Sequence, residues 1–274
     1  MTHGVSFNHA FRRVLGEDLY FLIRAPQKTP ALPPTVLFVP PFAEERNRSR
    51  HLMSRTAEAL AHAGISSIVF DLSGTGESHG EFRAATLTRW AEEIKAVARE
   101  MADQAGQTIT LITIRAGFLF ADTLWQAKDV VSGAVTWAPV LDGALHMKQF
   151  LRVRHAQLKE RAAQSGQPAP PVSSLIDRLR DEGWLECAGY PLSDTLYQEF
   201  NGKRTPQPPQ FPLLVLDPVR EALPDALLSS ERSVAFRHID EPAFWQNAEP
   251  SDNPSLVAET VAWVVNHHRL TGRS

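Results

Sequence analysis

Four charged residues fall where chemistry is usually placed, at the ends of apolar runs. Glu44 and Glu45 follow Thr35-Val-Leu-Phe-Val39 across Pro40-Pro41-Phe42-Ala43. Arg115 closes Leu111-Ile-Thr-Ile114 and precedes Ala116-Gly117, and Asp217 closes Leu213-Leu-Val-Leu216. A carboxylate can exchange protons or activate water. A guanidinium stays charged in a protein, so it can only bind, orient or neutralise. An arginine at a buried strand end requires a partner, and its planar fork suits a bidentate carboxylate. The expectation is therefore that Arg115 pairs with at least one of Glu44 and Glu45, with Asp217 as a third candidate. In the competing reading both glutamates lie in solvent at a helix start, where the dipole favours them.

The other reactive residue types point to less. The single cysteine, Cys187, excludes an internal disulfide and a thiolate metal cluster, and fits a reducing compartment. The ten histidines show no His-Glu-x-x-His spacing, so no metal and no cofactor is expected. Asp71-Leu-Ser-Gly74-Thr-Gly76-Glu-Ser78 reads as a tight turn whose aspartate bonds the loop backbone. It lacks the third glycine of a dinucleotide fingerprint and the lysine of a phosphate loop. Phe150-Leu-Arg152-Val-Arg154-His155 reads as a solvated basic helix face rather than a site for an acidic partner. His238 reads as a half-exposed strand histidine, and His267 and His268 as cations at a helix C-terminus. Asn201-Gly-Lys-Arg-Thr205 reads as a turn.

The elements that must hold these residues alternate. Strands are predicted at 18–24, 35–39, 66–70, 108–114, 131–137, 212–216 and 234–239. Helices are predicted at 49–63, 88–101, 117–127 and 255–268. Strands separated by helices of this length build βαβ units on a mainly parallel sheet. A proline-rich turn with Pro26, Pro33 and Pro34 ends the first strand. Between 142 and 209 the rhythm breaks into an amphipathic helix at 147–164, a loop with Pro168, Pro170 and Pro171, and a serine-capped helix at 173–181. That segment reads as a helical lid over the carboxyl edge of the sheet, leaving 1–141 and 210–274 as one core. A chain of 274 residues suits one large domain with an insertion. Net charge is −3 with lysines and arginines scattered, which argues against nucleic acid. No apolar run approaches the ~20 residues of a membrane span, and the first residues lack a secretion signal. A cytoplasmic protein is expected.

The Asp71-x-x-Gly74-x-Gly76-x-Ser78 turn, the strand–turn–helix over 111–127 and the interruption after the next strand resemble an α/β-hydrolase. More closely, several stretches are similar to the exosortase A system-associated hydrolase type 2 family. They are Phe38-Val-Pro-Pro-Phe-Ala-Glu-Glu45 with Asn47, Ser49 and Arg50, then Gln149-Phe-Leu-Arg-Val-Arg154, Gly189-Tyr190 and Pro242-Ala-Phe-Trp245. In that order they run along nearly the whole chain, and the doubled proline before Phe-Ala-Glu-Glu is the most specific. The resemblance implies an α/β-hydrolase fold encoded among exopolysaccharide and protein-sorting genes, with no defined substrate.

Such a fold keeps its nucleophile in Gly-x-Ser-x-Gly, whereas this chain has Thr113-Ile-Arg115-Ala-Gly117. Arg115 takes the nucleophile position and Asp217 that of the triad acid. The loop 240–247, where the histidine belongs, carries Phe244 and Trp245 instead. The expected function is thus binding without serine-triad catalysis, in a pocket of Phe42, Ala43, Glu44, Glu45, Arg115, Ala116 and Trp245. An arginine at a helix N-terminus favours a small anion carrying an apolar or sugar body; a protein partner from an exopolysaccharide or sorting system is the other candidate. The alternative is ester or thioester hydrolysis, or acyl transfer, with water activated by Glu44, Glu45 or Asp217. The oligomeric state leaves no trace in the sequence.

Overall fold

The computed structural model describes residues 4–27, 35–165, 168, 170–228, 234–247 and 249–272. In chain order the strands are β1 (Val5–Val14), β2 (Glu17–Pro26), β3 (Val36–Val39), β4 (Ser67–Phe70), β5 (Ile109–Ile114), β6 (Val131–Trp137), β7 (Trp184–Cys187), β8 (Tyr190–Ser193), β9 (Leu213–Asp217) and β10 (Val234–His238). The helices are α1 (Glu44–His62), α2 (Leu87–Ala105), α3 (Gly117–Phe120), α4 (Gly143–Ser165), α5 (Val172–Glu182), α6 (Asp194–Gly202) and α7 (Pro254–Thr271). Eight strands form one sheet in the order β1-β2-β4-β3-β5-β6-β9-β10. The pairs from β4 to β10 are parallel, and β1-β2 and β2-β4 are antiparallel.

All four residues of β3 are buried, as a continuous apolar run requires when both faces of a parallel sheet are covered. The strand alternation sorts the layers. Val36 and Phe38 pack with Leu52, Ala57 and Leu60 of α1 and Leu256 and Val264 of α7. Leu37 and Val39 belong to the opposite core, which takes Trp90, Ile94 and Val97 of α2 together with the segment after β6. Parallel strands covered this way leave their carboxyl ends and the following loops as the natural binding edge.

The segment 142–209 holds α4, α5, α6 and a two-stranded hairpin of β7 and β8. The hairpin and α6 were not anticipated, although Ser193 caps α6 by accepting from the Leu196 N–H at 3.2 Å. Residues 201–205 are a helix end rather than a free turn. Asn201-Gly202 finish α6, and Arg204 bridges to Asp142. For α5 the expected serine cap is absent: Pro171 precedes it without a side-chain cap, and the Ser174 hydroxyl donates to the Pro171 carbonyl. The expected turn residues Pro33 and Pro34 lie outside the described residues.

Two further differences matter for the site. Helix α1 begins at Glu44 rather than at 49, because Ala43, with φ 49° and ψ −128°, turns the chain straight into it. Both glutamates thus sit in its first turn, which the dipole favours. The helix expected at 117–127 stops after one turn, followed by a 3-10 turn at Asp122–Leu124. Trp125 folds back into the core, and its indole N–H donates to the Phe118 carbonyl that the Asp122 N–H would take in a continuing helix. Among the described residues, no helix is long and apolar enough to cross a membrane.

His267 and His268 are not cations serving the helix dipole. His267 stacks on Trp263 with its Nε2 3.0 Å from the Ser132 hydroxyl, and His268 Nε2 lies 3.1 Å from the Thr110 hydroxyl. Burial lowers the pKa of both, His268 to about 4, so both rings are neutral at pH 7.

Candidate functional site

At the carboxyl edge of the sheet, three non-glycine residues with positive φ lie just beyond neighbouring strands. They are Ala43 (φ 49°) near β3, Arg115 (φ 52°) after β5 and Ala138 (φ 43°) after β6. Such backbone costs about 1–3 kcal/mol per residue and persists where the surroundings enforce it. At Arg115 the enforcement is visible. Its N–H donates to the Trp137 carbonyl, and its own carbonyl accepts from Phe118 and Val140. Gly117 is required by close approach, since a Cβ there would lie 2.5 Å from the Val39 carbonyl oxygen and 2.8 Å from that of Pro40. The turn after β5 is therefore a tight strand-to-helix elbow with Arg115 at its apex.

The arginine is held on all sides. Its Nε donates to Glu45 Oε1 and Oε2 at 3.3 and 3.2 Å, and Nη2 donates to Oε1 at 3.1 Å. Nη1 donates to the Ala138 carbonyl at 2.9 Å. The guanidinium carbon sits 4.1 Å from the centroid of the Trp245 ring, a cation–π contact. The two charged side chains keep only 10% and 19% of their exposure. The expected pairing is thus made by Glu45 alone. Glu44 turns away, accepting from Asn47 Nδ2 at 3.0 Å and from the Tyr190 hydroxyl at 3.4 Å.

Asp217 is not shared with Arg115. Its Oδ1 accepts from the Val219 and Arg220 N–H groups, both at 2.9 Å, and its Oδ2 accepts from Arg220 Nη1 at 2.6 Å. His238 pairs with Asp217 in strand register, yet it is exposed and its ring Nδ1 meets the Arg220 carbonyl at 2.9 Å. Trp245 is anchored from α1, where Arg48 donates to its carbonyl at 3.1 Å and to that of Gln246 at 2.9 Å. The glycine turn is tied both to its own backbone and to the surrounding fold. Asp71 accepts from the Glu77 N–H and the Ser78 hydroxyl, and forms a buried ion pair with Arg46. That pair had no signal in the sequence, because nothing local links a loop aspartate to a helix arginine.

These groups surround a cavity of about 580 Å³. Phe42, Glu44, Glu45, Arg115 and Trp245 line it, joined by Asp217; Ala43 and Ala116 are buried beside the wall and are not part of it. Helix α4 contributes Leu145, His146, Gln149, Phe150 and Val153, so the segment after β6 forms one side of the cavity. His146 is the residue that sequence reasoning missed. It is buried against Phe42 and Phe200, at centroid distances of 5.9 and 5.8 Å, and its Nε2 has no hydrogen-bond partner. Burial holds its pKa below the ordinary histidine value, with Glu45 opposing and Arg115 adding to that effect. Only its spacing of four residues from Phe150, which packs against the core, hinted that it faces inward.

The charge pattern bears on the expected preference for anions. Helix α3 is a single turn, so its N-terminus offers little dipole, and Arg115 is already matched by Glu45. Arg220 is matched by Asp217, and Arg48 by Glu44, whose Oε1 lies 3.7 Å from its Nε. A guanidinium has five N–H donors, and the contacts of Arg115 leave donors on Nη1 and Nη2 for a neutral acceptor. Among the described residues, no group of three or more His, Cys, Asp or Glu is placed to hold a metal ion.

No family model matches the chain, and no curated protein matches it in sequence. Solved structures do match along its length. Est1E of Butyrivibrio proteoclasticus, in a structure with bound ferulic acid, superposes at a TM-score of 0.61 and 15% identity, covering 97% of this chain and 100% of that one. Epoxide hydrolase A of Mycobacterium thermoresistibile gives 0.55 at 14% identity, with 96% and 98% covered. Mouse alpha/beta hydrolase domain-containing protein 10 gives 0.54 at 15% identity, with 98% and 100% covered. At such identities the likeness establishes architecture alone: the chain has the α/β-hydrolase fold.

Proposed function

We propose that this is a hydrolase-fold protein whose cleft binds a small amphiphile of no net charge without cleaving it. The observation that carries the reading is the clamped Arg115 at the apex of the elbow after β5, where this fold places its nucleophile. A guanidinium cannot attack a carbonyl, and this one fills the apex while fixed to Glu45, Ala138 and Trp245. The helical segment 142–209 acts as a lid, with α4 closing one side of the cavity. Phe42, Phe150 and Trp245 suit an apolar body, and the spare Arg115 donors suit a carbonyl, amide or hydroxyl on it.

The competing enzymatic reading, hydrolysis of an ester or thioester or acyl transfer, needs a free carboxylate to activate water. Glu45 and Asp217 are each engaged by an arginine. Glu44 is the least committed, though Asn47, Arg48 and Tyr190 surround it. The resemblance of Phe38–Glu45 and its companion stretches to exosortase-associated hydrolases supports seeking the ligand, or a protein partner, among exopolysaccharide and sorting components in the cytoplasm.

Equilibrium binding tests this reading. Uncharged amphiphiles such as monoacylglycerols and alkyl glycosides, kept below their critical micelle concentrations, should change tryptophan fluorescence saturably. The change should be lost in Trp245→Ala and weakened in Arg115→Met. Binding confined to anions, or unaffected by both substitutions, overturns it.

A further inference from the structure

Helix α4 carries five Lys and Arg residues against one Glu, in a chain whose net charge is −3. Lys148, Arg152 and Lys159 are exposed. Their spacings of four and seven residues place them along one side of the helix. Beside them on the same exposed face stand Leu145 and Val153, at 54% and 47% exposure. Across the mouth, the loop after β9 adds Val219 at 58%. All three aliphatic residues line the cavity described above. Three of the eight exposed large apolar side chains among the described residues thus ring one opening, next to a row of cations.

Exposed aliphatic side chains gathered at one place lose free energy in water and mark a surface meant to be covered. Flanking cations give that surface a charge opposite to anionic headgroups.

We infer that the α4 face and Val219 form a docking surface for an anionic lipid bilayer, placing the cavity mouth against the membrane. Leu145, Val153 and Val219 enter the headgroup region, and Lys148, Arg152 and Lys159 contact lipid phosphates. Docking stands on the surface alone. Only the further step, that the cavity takes its amphiphile from the bilayer, rests on the binding reading above.

The test is co-sedimentation of the full chain with vesicles of phosphatidylcholine, with and without phosphatidylglycerol, across a salt series. Binding should require phosphatidylglycerol and weaken as salt rises. The K148E/R152E/K159E variant should bind roughly 100-fold more weakly, since each surface cation contributes about five-fold. L145S/V153S/V219S should lose the part of binding that persists at high salt. Circular dichroism and unchanged melting temperatures establish that both variants are folded, as expected for exposed positions. Absence of wild-type binding to anionic vesicles overturns the proposal, as does binding indifferent to both variants. Soluble polyglutamate that displaces the protein from vesicles and binds the aliphatic variant as tightly as the wild type also overturns it, and assigns the face to an acidic polypeptide. Because docking is measured without added amphiphile, its failure is separable from a failure of the cavity to bind one.

Discussion

Replacing Glu45 by glutamine removes the carboxylate from Arg115 while keeping the shape of the side chain. Stranding one charge of a buried pair costs about 3–5 kcal/mol. Here the guanidinium keeps 10% of its exposure, its bond to the Ala138 carbonyl and its contact with the Trp245 face. Cation–π contacts of this kind contribute about 0.5–2 kcal/mol, so Glu45→Gln should destabilise by about 2–4 kcal/mol. Arg115→Met should cost somewhat less, about 2–3 kcal/mol, because Glu45 is the more exposed partner and regains some water. The double variant should then show a coupling energy of about 2 kcal/mol. Glu44→Gln is the internal control. Its carboxylate faces Asn47 and Tyr190, so it should cost about 0.5 kcal/mol or less and show no coupling to Arg115. The assay is urea unfolding followed by tryptophan fluorescence and by circular dichroism, with coincident curves required before free energies are compared. The Glu45 coupling should largely survive high salt, which screens buried pairs weakly. A coupling indistinguishable from zero for Glu45, or an equal one for Glu44, refutes the self-neutralised elbow.

Three further outcomes are expected. Arg115→Ser writes a hydroxyl into the elbow, yet it leaves Glu45 unpaired and supplies no histidine from loop 240–247; p-nitrophenyl butyrate assays should find no turnover in a protein less stable than wild type. His267 and His268 are held neutral in the fold and become protonated when it opens, so stability is full above the unfolded pKa of 6.5 and falls as pH drops from there toward about 4. For His268 the span corresponds to ~3 kcal/mol, which partial exposure reduces to about 2 kcal/mol, and His268→Asn should flatten that part of the stability profile measured by urea unfolding. Burial pushes the Cys187 thiol up to about 12, so Ellman's reagent at about pH 8 should react only after denaturation, with one equivalent released.

How much of this was legible in the sequence depended on whether the signal was local. Continuous apolar runs bounded by proline located β3 and β9, as strands buried on both faces of a parallel sheet favour, while β5 and β6 were legible as mostly apolar runs that also bury Thr110, Thr113 and Thr136. The pairing of Arg115 with Glu45 followed from the rule that strand ends after β3 and β5 meet at one edge, together with the need of a buried arginine for a counter-charge. Choosing Glu45 over Glu44 was not legible, since it depends on the rotation of α1 set by the positive φ of Ala43. The one-turn α3 was hidden because the core position of Trp125, not helix propensity, decides where that helix ends. His146 escaped notice because α4 reaches the cavity only through the folding of 142–209 back over the sheet. The charge balance was hidden for a related reason: from residue types alone Arg115 is a cation, and only its geometry shows that Glu45 already matches it.

Intact-protein mass spectrometry after incubation with a fluorophosphonate tests the proposal of a non-catalytic cleft most directly. With Arg115 at the apex and no nucleophile in its place, the mass should remain that of the unmodified chain, both in the wild type and in Arg115→Met. A stoichiometric adduct on a serine or threonine lining the cleft would contradict the reading and establish a working hydrolase.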